Sequence, residues 1–188
     1  ERPHVAGNST GGAVALELAA RDAVASACAL APIGFWSSRE RAFAQASMTA
    51  TRTLSRITRP ITPAVARSAV GRTALAAQYC ARPWRLDPDG LTADVDALIG
   101  APAFADVRAS FTGYLAPTGA ADHVPVTIVW GARDRLLLPR QLERARRRLP
   151  RARHVLLGGC GHLMLADDPE AVAGVVRAAT RAPAPVAA

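Results

Sequence analysis

The chain has 188 residues, half of them hydrophobic, and a formal net charge of +8. This length suffices for one domain with a buried core, and the high hydrophobic fraction excludes an intrinsically disordered chain. The longest stretch without a charged residue, residues 23–38, is shorter than the roughly 20 apolar residues of a membrane helix and is interrupted by Pro32 and Gly34. The sequence therefore predicts no transmembrane span.

Targeting and redox signals are equally sparse. No basic segment followed by an apolar one opens the chain, so the sequence predicts no signal peptide. The cysteines Cys28, Cys80 and Cys160 are too widely separated to form a disulfide framework or a metal-ligand motif. A reducing compartment is the default for such a chain, and we expect a cytoplasmic protein.

The positive charge comes from arginine alone, because the chain contains no lysine. Arginine and the abundant alanine both have GC-rich codons, so coding bias explains the charge without phosphate binding. Several arginines cluster late in the chain: Arg140, Arg144, Arg146, Arg147, Arg148, Arg151 and Arg153. No aromatic residues are interleaved with them for base stacking, and a solvated helix face, on which Glu143 can pair with Arg147, is the simpler interpretation. The sequence therefore predicts no nucleic-acid partner.

The first predicted elements are a strand, a tight turn and a helix. The short apolar run at residues 3–6 is followed by the glycine-rich segment Gly7–Gly12, and strong helix formers occupy residues 13–20. A second apolar run at residues 24–33 predicts a strand buried on both faces.

The segment from residue 35 to residue 121 has a different sequence pattern, which predicts several short helices separated by proline and glycine. It also holds most of the aromatic residues of the chain. Trp36, Phe111 and Tyr114 are candidate substrate-binding residues, although aromatics at helical spacing more often belong to a hydrophobic core.

Alternation of strands and helices returns near residue 124. The sequence predicts strands over 126–130 and 154–157 and helices over 139–149 and 168–181. Asp168 is the expected N-cap of the last helix, with Pro169 at its first position. Such alternation indicates a parallel sheet with helices on both faces.

The segment Gly7–Gly11 matches the G-x-S-x-G nucleophile elbow in the strand-turn-helix context that gives this motif its meaning. A serine on so sharp a turn needs small neighbours, a role predicted for Gly7 and Gly11, and Gly12 would allow close packing of helix and sheet. The positive end of the following helix dipole lies where an oxyanion would develop. Ser9 is therefore the candidate nucleophile.

A serine nucleophile needs a base and a residue that orients this base. Asp134 and His162 each follow a predicted strand, at the sheet edge where open α/β folds place their sites. His162 would accept the Ser9 proton, and Asp134 would fix the imidazole tautomer. The alternatives are that Asp134 caps a turn and that His162 is a turn histidine.

Two neighbouring groups have simpler interpretations. Cys160 lies two residues before His162 and could serve as a thiol nucleophile, but it has no elbow around it, which favours a small loop residue. Asp167 and Asp168 are both interpreted as helix caps.

With these motifs, the chain resembles the C-terminal portion of an α/β-hydrolase-fold enzyme. The residues that carry the resemblance are GNSTGG at Gly7–Gly12, VTIVWGARDRLLLP at Val126–Pro139, GGCGH at Gly158–His162 and ADDPE at Ala166–Glu170. The resemblance implies a mostly parallel sheet with flanking helices, formed by residues 1–34 and 122–182. Residues 35–121 would form a helical cap insertion, and residues 183–188 a disordered tail.

The resemblance also implies an activity. A serine hydrolase of this family would cleave a carboxylic ester or related acyl bond of a hydrophobic small molecule through a Ser9 acyl-enzyme, with no metal or organic cofactor. The amide of Thr10 would supply one oxyanion hydrogen bond. Such folds place several strands and the second oxyanion donor before the elbow, so we expect these N-terminal strands to be missing and the chain as given to be inactive.

Other activities share this set of residues. Carbon–carbon bond hydrolases, cofactor-free haloperoxidases and acyltransferases use the same triad, and the sequence does not separate them. A non-catalytic module that binds a small apolar ligand beneath the cap is a further alternative, although such a module has no reason to keep Ser9, Asp134 and His162 together.

Overall fold

The computed structural model describes residues 1–181, which form a four-stranded parallel sheet flanked by helices. The strands are β1 (His4–Asn8), β2 (Ser26–Leu30), β3 (Val126–Gly131) and β4 (Arg153–Leu157), and they lie side by side in chain order. The predicted α/β fold with a parallel sheet is confirmed. The predicted tail, residues 183–188, lies outside the described residues.

Helices connect all the strands. Helix α1 (Thr10–Ala20) joins β1 to β2, and α7 (Gln141–Arg148) joins β3 to β4. The segment between β2 and β3 contains α2 (Ser38–Thr58), α3 (Thr62–Ala66), α4 (Ala69–Ala76), a 3-10 helix (Pro83–Arg85), α5 (Pro88–Gly100) and α6 (Phe104–Ser110). After β4 come α8 (Met164–Asp167) and α9 (Pro169–Thr180). Within residues 1–181, no helix combines the length and apolar character needed to cross a membrane.

The two inner strands form the centre of the core. Every residue of β2 and β3 is buried, as expected of parallel strands covered by helices on both faces. Trp130 at the end of β3 is fully buried, and its indole N–H donates a hydrogen bond of 2.8 Å to the carbonyl of Leu137. Phe35 packs edge-on against this indole. These contacts hold the loop that follows β3 in a fixed position.

Polar side chains cap the N-terminal ends of α2 and α9. The hydroxyl of Ser37 and the carboxylate of Glu40 form a reciprocal capping box at the start of α2. Asp168 caps α9 with Pro169 at its first position, as the sequence predicts.

Most of the arginine cluster is exposed, as the sequence predicts, but three of its members also form contacts with other elements. Arg140 and Arg144 both pair with Glu40, whose side chain is only 5% exposed, and Arg148 donates to the carbonyl of Ala116. The predicted partner of Glu143 is wrong, because this residue pairs with Arg146, three positions away. Part of the cluster therefore joins α7 to the helical insertion.

Candidate active site

Ser9 occupies the turn between β1 and α1 in a strained backbone conformation. Its φ of 56° and ψ of −114° lie in a region that non-glycine residues rarely adopt, which costs about 1–3 kcal/mol. The Ser9 amide donates to the carbonyl of Leu30 at 2.8 Å, and the Ser9 carbonyl accepts from Ala13 in the first turn of α1. These bonds to β2 and α1 hold the strained residue at the carboxyl edge of the sheet.

The glycines of the elbow do not all have the role that the sequence predicts. A Cβ atom on Gly7 would lie 2.3 Å from the carbonyl oxygen of Gly11, and one on Gly12 would lie 3.1 Å from both the Gly7 oxygen and Cβ of Pro32. Within the described residues, a Cβ on Gly11 would meet nothing within 4 Å. The prediction that residue 11 must be small is therefore wrong. The backbone of Gly11 makes the close approach to Gly7, and a side chain at position 11 would not enter that contact.

Asp134 and His162 form a buried pair. Nδ1 of His162 and Oδ2 of Asp134 are 2.9 Å apart, and the two residues are 3% and 2% exposed. Since an ionised carboxylate only accepts hydrogen bonds, Nδ1 is the donor and Nε2 is left as the acceptor of the neutral ring. Asp134 also accepts the amides of Leu136 at 2.9 Å and Leu137 at 2.8 Å. It thus orients the histidine and stabilises a turn at once.

The loop that carries His162 packs closely against the loop after β3. A Cβ atom on Gly131 would lie 2.1 Å from the carbonyl oxygen of Gly161, so only glycine fits at this contact. The amide of Arg133 donates to the carbonyl of Cys160 at 2.9 Å. Backbone contacts therefore hold the two loops together in addition to the contact between the side chains of Asp134 and His162.

Ser9 and His162 line one cavity of about 540 Å³. Among the hydrogen bonds of residues 1–181, none joins the side chains of Ser9 and His162 directly; the His162 ring is bonded to Asp134. Apolar side chains of the helical insertion form much of the remaining wall and include Met48, Leu75, Leu91, Val95 and Leu98. The cavity is thus suited to an apolar molecule.

The charged lining of this cavity is sparse. In the described part of the chain, no arginine lines it, and Asp94, an exposed residue of α5, is its only carboxylate. The hydroxyl of Tyr79, which also lines the wall, donates to the hydroxyl of Thr51 at 2.9 Å. The cavity therefore offers no guanidinium to an anionic ligand.

The three predicted substrate-binding aromatics lie elsewhere. Trp36 and Phe111 pack with ring centroids 5.2 Å apart, and the indole N–H of Trp36 donates to the carbonyl of Tyr114 at 3.2 Å. Trp36 and Phe111 are buried in the core, Tyr114 packs against it, and none of the three lines the cavity of Ser9 and His162. This placement departs from the prediction and favours the packing role that the sequence left open.

Thr10 and Cys160 flank the central residues. Thr10 is the first residue of α1, where backbone amides have no acceptor within the helix. Burial raises the pKa of the Cys160 thiol to about 11, and the nearby Asp167 and Asp168 act in the same direction. Cys160 is therefore a protonated thiol at neutral pH and a poor nucleophile.

Asn8 and Asp167 contribute contacts that sequence reasoning missed. The side-chain amide of Asn8 donates to the carbonyls of Leu30 at 3.0 Å and His162 at 3.1 Å. Asp167 does not cap a helix, so that prediction is wrong; its carboxylate accepts the amides of Ala81, Arg82 and Gly161. One signal was available, since Asp168 alone satisfies the cap of α9 and leaves Asp167 without an assigned partner.

Comparisons with known proteins agree with this architecture. The sequence model of the alpha/beta hydrolase family matches residues 1–175. A search of curated proteins gives no match.

Solved structures of the same fold include a bacterial membrane phospholipase A described as a virulence factor, with 24% identity and a TM-score of 0.64 over 94% of this chain and 56% of that one. A thermophilic esterase from Thermogutta terrifontis has 20% identity and a TM-score of 0.61 over 93% of this chain and 63% of that one. The 2-hydroxy-6-oxo-6-phenylhexa-2,4-dienoate hydrolase from Rhodococcus sp. strain RHA1 has 17% identity and a TM-score of 0.66 over 97% of this chain and 65% of that one. The chain thus spans 56–65% of the length of these three structures.

Proposed function

The chain belongs to the alpha/beta hydrolase family, and from this premise we propose that it is a serine hydrolase that cleaves a carboxylic ester through an acyl-enzyme on Ser9. The observation that carries the proposal is that Ser9, on its strained turn, lines the same cavity as His162, whose ring is oriented by Asp134. Strain is retained at positions where the surrounding structure enforces it, and such positions cluster at reactive sites.

The proposed reaction begins with attack of the Ser9 hydroxyl oxygen on the ester carbonyl carbon, while Nε2 of His162 accepts the hydroxyl proton. Asp134 stabilises the resulting imidazolium, and the amide of Thr10 donates to the tetrahedral oxyanion. The intermediate expels the alcohol, which takes the proton from His162. Water then attacks the acyl-enzyme with His162 again as base, releasing the carboxylic acid and restoring the Ser9 hydroxyl.

The lining of the cavity supports an uncharged acyl group as substrate. The wall from α2, α4 and α5 is largely apolar, and in the described residues it holds Asp94 but no arginine. A dienoate, the substrate in the name of the Rhodococcus hydrolase, carries a carboxylate that is costly to bury without a cation or several donors. We therefore favour ester hydrolysis over carbon–carbon bond cleavage. In this proposal, residues 35–121 act as the cap that supplies the wall.

Labelling of the full-length protein with a fluorophosphonate probe, followed by peptide mass analysis, tests the proposal. We expect one adduct, on Ser9, together with turnover of p-nitrophenyl esters. Ser9→Ala removes both. Ser55→Ala, which replaces a serine of the cavity wall in α2 that has no elbow around it, keeps the adduct on Ser9 and a measurable turnover. A folded protein that binds apolar ligands but neither reacts with the probe nor cleaves esters would instead be a non-catalytic module.

A further inference from the structure

We propose that Asp167 is a positioning residue that holds the His162 loop against the segment 79–82 of the helical insertion. One buried carboxylate would then set both the place of the proposed base and one wall of the substrate cavity. The inference rests on the proposed function, because it concerns the placement of His162 as a base.

The carboxylate of Asp167 accepts three backbone amides from two distant parts of the chain. Its Oδ2 lies 2.8 Å from the amide nitrogen of Ala81 and 2.7 Å from that of Gly161, and its Oδ1 lies 2.8 Å from that of Arg82. Asp167 is 9% exposed, so water does not readily replace these bonds. The segment and the residue directly before His162 thus share a single acceptor.

Direct backbone contacts accompany this shared acceptor. The amide of Leu163, directly after His162, donates to the carbonyl of Tyr79 at 2.9 Å. A Cβ atom on Gly161 would lie 2.8 Å from the same carbonyl oxygen and 2.9 Å from the amide nitrogen of Ala81. The two backbones therefore touch on both sides of His162, and glycine at 161 permits the approach.

The segment also forms part of the substrate cavity. Tyr79 and Cys80 line it together with His162 and Leu163. A shift of the segment relative to the loop would therefore displace the cavity wall and the base together. Such a shift is expected to change both the turnover number and the discrimination between substrates of different length.

The chemistry of the contact requires a carboxylate. Both oxygens of an ionised carboxylate accept hydrogen bonds, whereas an amide side chain offers one oxygen and directs N–H groups from its other end. In Asp167→Asn at least one of the three backbone amides would face another donor. The neighbouring Asp168 provides a matched control. Among residues 1–181, its carboxylate accepts only the amide of Ala171 at the start of α9, and Asn is an equally good N-cap.

The experiment compares Asp167→Asn, Asp168→Asn and the unchanged protein, each full-length, with active sites counted by fluorophosphonate titration. For Asp167→Asn we expect kcat per active site to fall about 10- to 100-fold, because small misplacements of reacting groups cause rate losses of this size. We also expect KM to rise several-fold for p-nitrophenyl octanoate but little for p-nitrophenyl acetate. Asp168→Asn should match the unchanged protein in both constants, and Asp167→Glu, which keeps the carboxylate, should recover part of kcat.

A different result would overturn the inference. If Asp167→Asn only lowers the number of active sites or the melting temperature, with kcat per site and the ratio of the two KM values unchanged, Asp167 is merely structural. If Asp167→Asn does not fold, the test uses Asp167→Glu and the ratio of its KM for p-nitrophenyl octanoate to its KM for p-nitrophenyl acetate. A ratio above that of the unchanged protein supports the inference, and an unchanged ratio overturns it. Failure of the unchanged protein to react with the probe or cleave esters would refute the proposed function instead.

Discussion

The side-chain amide of Asn8 donates a hydrogen bond of 3.1 Å to the main-chain carbonyl of His162, across 154 positions of sequence. Asn8 directly precedes Ser9, the proposed nucleophile. Its side chain is thereby hydrogen-bonded to the backbone of His162, the proposed base. The same amide group donates to the carbonyl of Leu30 at 3.0 Å, so one side chain connects β1, the end of β2 and the histidine loop.

Replacement of Asn8 tests this connection. Asn8→Ala should lower kcat toward p-nitrophenyl esters about tenfold, because the His162 backbone loses a contact that positions it. It should also lower the free energy of unfolding by about 1–3 kcal/mol, because two hydrogen bonds worth about 0.5–1.5 kcal/mol each are removed. Asn8→Asp should be more severe, since a carboxylate would face two carbonyl oxygens. Steady-state kinetics and thermal unfolding of both variants measure the effect. Equal activity of Asn8→Asp and the unchanged protein would contradict a positioning contact.

The three proposed catalytic residues should differ in how much activity survives their replacement. Ser9→Ala should abolish esterase turnover, and His162→Ala should do nearly the same. Asp134→Asn should leave a detectable rate, although loss of the orienting residue costs up to about 10⁴-fold in known triads. Circular dichroism of each variant checks that the fold persists. Full activity of Ser9→Ala would show that the nucleophile lies elsewhere.

Two glycines of the elbow form a matched pair with opposite expectations. Gly7→Ala places a methyl group 2.3 Å from a backbone oxygen, so we expect loss of folding or of activity. Gly11→Ala meets no described atom within 4 Å and lies in α1, where Ala favours the helix by about 1 kcal/mol over Gly. It should retain activity and unfold at the same or a higher temperature. The reverse order of tolerance would contradict the close approach seen at Gly7.

Local pattern was sufficient to predict the sheet and the places of Ser9, Asp134 and His162 at its carboxyl edge. Each follows a strand that its own β-branched or small apolar residues predict, without information from the rest of the chain. Parallel strands then bring their carboxyl ends to the same edge of the sheet. Helix caps such as that of Asp168 are equally local, because donor and acceptor are three residues apart.

Contacts between distant parts of the chain were not readable in this way. The amides that Asp167 accepts include those of Ala81 and Arg82, more than 80 positions earlier, and backbone amides leave no signature in a sequence. The aromatics Trp36 and Phe111 were candidate pocket residues by composition alone. Which side of a helix faces a cavity depends on the packing of several helices, and here aliphatic residues such as Leu91 form the wall.

The charge of Asp94 provides a test of substrate class. Reversal of this charge in Asp94→Arg should raise kcat/KM about 3- to 10-fold for an ester whose acyl group ends in a carboxylate, relative to a neutral ester of equal length, because the mutation replaces repulsion with attraction. The gain should shrink as salt increases. Asp89→Arg, on the same helix but away from the cavity, is the control and should leave this ratio unchanged. An unchanged ratio in Asp94→Arg would show that the acyl group does not approach Asp94.

Glu40 should make the stability of the protein sensitive to acid. Burial alone would raise the pKa of Glu40, but hydrogen bonds from Arg144, the Ser37 amide and Arg140 outweigh it and lower the pKa from 4.5 to about 2. A carboxyl group with a lowered pKa in the folded state stabilises that state above its unfolded pKa, and this contribution is lost as pH falls from about 4.5 toward 2.

Glu40→Gln isolates this contribution. At pH 7 it should lower the free energy of unfolding by about 1–3 kcal/mol, and its difference from the unchanged protein should narrow as pH falls below 4.5. Glu143→Gln removes an exposed pair with Arg146 and should cost at most about 0.5 kcal/mol at any pH. Urea unfolding of the three proteins at pH 7, 4.5 and 3 measures both effects. A difference between Glu40→Gln and the unchanged protein that stayed constant across this range would show that the ionised form of Glu40 does not stabilise the fold.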